Sequence, residues 1–425
     1  MEKYFDHHLY KFDSGLRLVV VPMPNSRTAT VMVLAGTGNN YEIKEQAGIA
    51  HFLEHMMFKG TTNRPDKLAI SYELDSIGAN YNAFTSREKT GYHAQASAGK
   101  VEILMDVVYD IFLNSLIDQK EVEVERGVIH EELRMYRDEP KRYVSEIFDK
   151  VMYDDQPAGW GIEEELTALK NLSRDKLKDY FNNHYISKNT VVGIAGNINP
   201  EMIREKTERY FKNIRNGELF KKPKVIESQN GPNALVHFKE TDQTHFIIGL
   251  RAYNLFDEKR YALGILSMIL GGGMSSRLWQ EIREKRGLAY YVSAGQDNFI
   301  DNGYMYVVAG VNNQKASDAV KVVLEELVRI RDSGVSEKEL QRVKDQFEGG
   351  MAIGLESSYN VASAYSDSVL SYDRVLTPED ELDKIKKVTL DEVNLIAKDI
   401  INNNLSLALI GPFKEEEQFK KILKL

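Results

Sequence analysis

Nine histidines and no cysteine stand in a chain of 425 residues. Any metal the chain binds must therefore sit on imidazoles and carboxylates, and thiol nucleophiles, disulfides and cysteine-ligated clusters are excluded. Two of the histidines flank a carboxylate in His51-Phe52-Leu53-Glu54-His55. The stretch from Gln46 to Phe58 has helical composition, and on a helix positions i, i+3 and i+4 share one face. Two imidazoles one turn apart can chelate a single Zn²⁺, and the carboxylate beside them can take a proton from a water bound there. The competing reading of the same spacing is a pair of histidines on a solvated helix face.

A catalytic zinc takes three protein ligands and keeps a fourth position open. The richest source of a third is Glu121-Val-Glu-Val-Glu-Arg-Gly-Val-Ile-His-Glu-Glu132. Glu125 and Glu132 are seven residues apart, about two helical turns, and share a face, whereas Glu131 points about 100° away. One of the pair could bind metal while the other accepts a hydrogen bond from a ligand histidine. The alternative is an ordinary charged, solvated helix.

The elements that must position these groups repeat along the chain. Strand-like runs at Leu16–Val20 and Thr28–Leu34 precede a helix from Gln46 and another over Lys67–Ile77. Short strands at Gly78–Thr85 and Thr90–Ala96 follow as a hairpin, then long helices over Lys100–Ser115, Glu121–Arg137 and Lys141–Met152. Helical Ser173–Tyr185 and the strand Thr190–Ala195 close this half. The same order recurs from Thr244–Leu250 and Tyr261–Leu270, through Gly287–Ala294 and Gly303–Ala309. Helices over Ala316–Ser333, Ser336–Leu355 and Leu390–Asn402 and the strand Leu405–Ile410 complete it. The opening strands are offset by 216 residues (28 to 244) and the closing ones by 215 (190 to 405). Two copies in register at both ends predict two homologous domains, 1–211 and 233–425, joined by a polar Gly-, Pro- and Lys-containing linker at 212–232. Each is expected to be α+β, a mainly antiparallel sheet with helices packed on one face. Under the 216 offset Ser267, Leu270 and Gly271 answer His51, Glu54 and His55, so one zinc per chain is expected, in the first domain.

In these residues the chain resembles the inverzincin peptidases related to pitrilysin, insulin-degrading enzyme and the mitochondrial processing peptidase, most closely the short bacterial members of processing-peptidase type. Their zinc site is HxxEH, followed seventy-odd residues later by a Glu within an ExxxxxxE segment. Here Glu132 lies 77 residues after His55 and seven after Glu125. The resemblance implies His51, His55 and Glu132 as ligands, Glu54 as general base and Glu125 as supporting carboxylate. It extends to Asn82, Ala83, Phe84 and Thr85, matching the edge strand on which such enzymes hold substrate. Arg283 and Tyr290 match second-domain substrate contacts. It further implies a clamshell assembly, as a homodimer or with an inactive homologous subunit, that encloses extended peptides.

Read from their residues alone, Gly78–Thr85 is either an ordinary hairpin or a strand able to take an added peptide strand. Arg283 and Tyr290 could face a developing oxyanion or be a salt-bridging Arg and a half-buried aromatic. Gly271-Gly-Gly-Met-Ser-Ser276 lacks the spacing of phosphate-binding loops and is expected to break the chain between helices. His7 and His8 read as a terminal pair, and His93, His184, His237 and His245 as structural. His130 is a weak alternative ligand. Lys and Arg number 55 against 64 Asp and Glu, a net charge of −9, which argues against a nucleic-acid partner. No apolar run reaches membrane-spanning length, and the first residues carry acids without an apolar core, so a cytoplasmic protein is expected. The leading expectation is a zinc endopeptidase; its rivals are a non-hydrolytic peptide-binding or scaffold subunit and a metal-storage protein.

Overall fold

The computed structural model describes residues 4–425. The first half of the chain builds β1 (His8–Lys11), β2 (Arg17–Pro22), β3 (Thr28–Ala35), β4 (Asn80–Thr85), β5 (Thr90–Ser97) and β6 (Thr190–Gly196), ordered β1-β2-β6-β3-β5-β4. The second builds β7 (Asn233–Phe238), β8 (Gln243–Arg251), β9 (Ala289–Asn298), β10 (Gly303–Asn312) and β11 (Leu405–Gly411), ordered β7-β11-β8-β10-β9. Without β1 the two orders coincide strand for strand. The parallel pairs β2–β6 and β7–β11 also correspond, and the remaining pairs are antiparallel. The expected α+β class and repeat are observed.

Helices of the first half are α1 (Ile49–Met56), α2 (Lys67–Ser76), α3 (Val101–Asn114), α4 (Gln119–Asp138), α5 (Pro140–Tyr153), α6 (Ile162–Leu169), α7 (Arg174–His184) and α8 (Pro200–Tyr210). Those of the second are α9 (Lys259–Gly271), α10 (Ala316–Ser333), α11 (Glu337–Gly354), α12 (Ser358–Tyr372), α13 (Pro378–Lys387) and α14 (Leu390–Ile400). The linker region between α8 and β7 carries neither helix nor strand. Sequence periodicity did not bring out α6, α8, α12 or α13.

The chain packs into two compact units, and neither is contiguous. One comprises residues up to Glu132, Glu163–Pro223 and Gly350–Glu381; the other comprises Leu133–Ile162, Lys224–Gly349 and Leu382–Leu425. The expected boundaries 1–211 and 233–425 therefore describe the sequence repeat and not the packing. Each half gives one helical segment to the other unit, at repeat-equivalent positions: residues 133 and 350 are 217 apart, and 163 and 382 are 219 apart.

The physical reason is that both faces of each sheet are apolar. In the first unit Val361, Ala362, Tyr365 and Val369 of α12 bury Val19, Val21, Val191 and Ala195. Alternation puts Leu18, Val20, Val192 and Ile194 on the opposite face, where they are equally buried. That opposite face is covered by α3 and α8, joined by a Tyr109–Thr207 hydroxyl bond of 2.9 Å. The tip of α12 is tied down by Ser358, 2.8 Å from Thr28 and 2.9 Å from Thr30. Gly193 permits the close approach, since a Cβ there would stand 1.7 Å from Ser366 Oγ.

In the second unit, α9, α10 and α14 cover Phe246, Ile248, Leu405, Leu407 and Leu409. Helix α5 takes the other face: Phe148 lies against Gly249, and the Tyr153 hydroxyl donates to Asn302 Oδ1 at 2.6 Å. Each sheet thus has its expected helical face plus a second layer made by an exchanged helix.

Candidate metal centre

Helix α1 starts at Gly48, which takes φ +82°, a left-handed conformation that favours glycine. The first backbone N–H groups of a helix have no partner within it. Here Glu42, buried with 4% exposure, accepts from Gly48 N at 2.7 Å and from Ala50 N at 3.0 Å. Burial pushes the Glu42 carboxyl up to about 8, with the Glu165 charge adding to the rise and the two N–H bonds opposing it. Ile49, Ala50, Phe52, Leu53 and Met56 are buried, which turns His51, Glu54 and His55 to the remaining face.

Helix α4 runs past this face. His51, His55 and Glu132 each offer a ligand atom, and these atoms all lie within 4.8 Å of one another. His55 Nε2 is 3.3 Å from Glu132 Oε2. The two imidazole rings are 4.8 Å apart at an interplanar angle of 86°.

Two further carboxylates hold the rings from behind. His55 Nδ1 donates to Glu125 Oε1 at 2.9 Å, and Glu125 also accepts from Lys59 Nζ at 2.7 Å. Burial raises the cost of charge on Glu125, yet these two donors hold its carboxyl below the ordinary range. His51 Nδ1 donates to Glu165 Oε1 at 2.6 Å. Burial opposes charge on His51, but Glu165, Glu54 and Glu132 outweigh it and lift the imidazole to about 9. A carboxylate only accepts, so each histidine donates from Nδ1, and Nε2 is the ring nitrogen that would give up its proton to a metal. Sequence reasoning singled out neither Glu165 nor Glu42, because each meets α1 only through the fold. Glu131 is exposed beside His130, as its helical angle requires.

Asn82, Ala83, Phe84 and Thr85 lie on β4, which among the described residues pairs with β5 alone and forms one edge of its sheet. Helix α1 packs against this strand. Arg283 and Tyr290 belong to the second unit. Arg283 lies in a π-helical turn, Trp279–Glu284, its guanidinium 4.2 Å from the Trp279 ring centroid. Tyr290 is the extra residue where Val311 pairs with Ala289 and Gly310 with Tyr291, so a bulge turns it outward, 57% exposed. The helix answering α1 holds no metal group: Ser267, Leu270 and Gly271 of α9 are buried, and a Cβ on Gly271 would meet Ala294 N at 2.1 Å. Among the described residues no helix is long and apolar enough to cross a membrane.

Fold and site together define a two-repeat chain with, among the described residues, one candidate centre for a divalent metal. Residues 17–165 match the family model described as insulinase (peptidase family M16), and residues 171–347 match the peptidase M16 inactive domain. The chain belongs to peptidase family M16. It is 34% identical to an uncharacterized zinc protease of Streptomyces coelicolor, over 95% of this chain and 89% of that one. It is 32% identical to the uncharacterized zinc protease YmxG of Bacillus subtilis, over 95% and 98%. In fold it is similar to a protease from Helicobacter pylori, with a TM-score of 0.91 and 24% identity over 96% of this chain and all of that one.

Proposed function

We propose that this chain is a zinc-dependent endopeptidase acting on extended or unstructured peptides, with His51, His55 and Glu132 as the ligands of one zinc ion. The observation that carries the reading is the convergence of three ligand atoms within 4.8 Å, with both histidines tied back by carboxylates through Nδ1. Two imidazoles and one carboxylate fit the donor set of hydrolytic zinc sites. Bound there, zinc supplies Lewis acidity and lowers the pKa of a water. Glu54, on the same turn as His55, takes a proton from the attacking water and returns it to the leaving amine. Glu125 keeps His55 in its tautomer. The free edge of β4 offers main-chain groups to an extended peptide, which suits a broad sequence range. The family resemblance assigns Arg283 and Tyr290 to substrate contact, and a guanidinium and a phenol suit a developing oxyanion.

Family membership and the zinc-protease names of relatives above 30% identity support this reading. The same resemblance favours pairing with a second copy or an inactive homologous chain around an unfolded substrate. The test is hydrolysis of a quenched unstructured peptide, with and without chelator, by wild type and Glu54→Gln. Cleavage that chelator and Glu54→Gln both abolish is the expected result. A wild type that binds zinc and cleaves no such peptide would overturn the peptidase reading in favour of a binding or storage subunit.

A further inference from the structure

We infer that Glu165 is the positioning residue of His51: it orients the imidazole toward the metal, and the turn at Gly48 is shaped to admit it. The inference rests on the zinc reading above and adds a residue outside both motif segments. His51 and Glu165 side chains are 18% and 10% exposed, and their 2.6 Å contact engages Nδ1 of the ring, which leaves Nε2 as the nitrogen for a metal. Glu165 is not among the grouped ligand atoms, so its carboxylate acts on the ring and not on the ion.

Space for that carboxylate is specific. An ideal Cβ on Gly48 would stand 2.2 Å from Glu165 Cγ and 2.5 Å from its Cδ, so any side chain there would displace it. Gly48 is also held in place through its N–H, which donates to buried Glu42 at 2.7 Å. The path of the chain gives a second, independent observation. The exchanged segment Leu133–Ile162 leaves the first unit directly after Glu132, and Glu163 is the first residue back. The two ends of the excursion thus deliver Glu132 to the ligand cluster and Glu165 to His51. His55 has the matching arrangement with Glu125, so each imidazole has its own carboxylate orienter, which is the pattern that raises ligand basicity and fixes ring orientation.

The test is zinc affinity, measured by competition with a chromophoric chelator, for full-length wild type, Glu165→Gln and Glu165→Leu, with Glu163→Gln as control. Wild-type zinc binding is read first, and its absence would refute the metal-centre reading rather than this one. Glu165→Leu is expected to lose about 10–100-fold in affinity, and Glu165→Gln several-fold, since an amide oxygen still accepts from Nδ1. The visible spectrum of the Co²⁺-loaded protein should change in Glu165→Leu, while the metal-free melting temperature stays within a few degrees. Unchanged zinc affinity in either folded variant would overturn the inference. So would a loss in Glu163→Gln equal to that in Glu165→Gln.

Discussion

Glu54 lies between His51 and His55 in the sequence, on the one face of α1 that is not buried. A group placed to move a proton should be separable from groups placed to hold an ion. Glu54→Gln is expected to keep zinc and lose about 10²–10⁴-fold in peptide cleavage, the usual worth of a general base. Glu132→Gln should lose zinc itself, as metal analysis of the purified variant would show; full occupancy would remove Glu132 from the ligand set. A third residue makes a prediction about pH. His184 is buried, stacks on Tyr180 at 4.1 Å and lies 3.1 Å from Thr37 Oγ1. Burial lowers its pKa from 6.5 to about 4. Its contribution to stability is complete above pH 6.5 and is lost as the pH falls through about 4, because the unfolded chain takes up the proton first. Thermal unfolding at pH 7 and at pH 4.5 should show a drop that is smaller in His184→Gln, by up to about 3 kcal/mol. An equal drop in both proteins would refute this account.

At the scale of elements, most strands and the long helices α3, α4, α5, α10 and α11 were legible because they carry clear periods. Thr28–Ala35, Ala316–Ser333 and the β4–β5 hairpin stand within a residue or two of their sequence readings. Helix α12 was not legible, because Ser358–Tyr372 mixes serines and tyrosines among its apolar positions and buries them against a sheet built by the other half. Its fit depends on one absent side chain. Gly193→Ala would place a Cβ 1.7 Å from Ser366 Oγ and 3.2 Å from Ala362 O. Overpacking of this kind costs about 1–3 kcal/mol. The melting temperature of Gly193→Ala should fall, and Ser366→Gly should restore part of it, a coupling readable in a double-mutant cycle. No recovery in the double variant would locate the strain elsewhere.

At the scale of the molecule, the exchange of α5 and α12 makes the two halves of the sequence interdependent. A fragment of residues 1–211 lacks α12 and leaves Val19, Val21, Val191 and Ala195 without their cover. A fragment of residues 233–425 lacks α5 and uncovers the face that carries Gly249 and Ala408. Exposed apolar faces of that size drive association. Each fragment expressed alone should aggregate or melt without a cooperative transition, and co-expression should recover a soluble complex. A fragment 1–211 that is monomeric and melts like the full chain would refute the interdependence.

From the sequence by itself came the metal-site spacing, the acidic and cysteine-free chemistry, the two-copy repeat and the α+β class. Each is written in local periods or in residue types that carry chemistry wherever they fold. Only the tertiary structure decided that the halves exchange helices, that Glu165 rather than a nearer residue backs His51, and that Glu42 closes the first turn of α1. Those facts depend on contacts between segments far apart in the chain, for which neighbouring residues supply no signal. His51 and Glu165 are 114 residues apart, and what brings them together is the return of the chain from the other unit, at a glycine with no side chain to stand in the way.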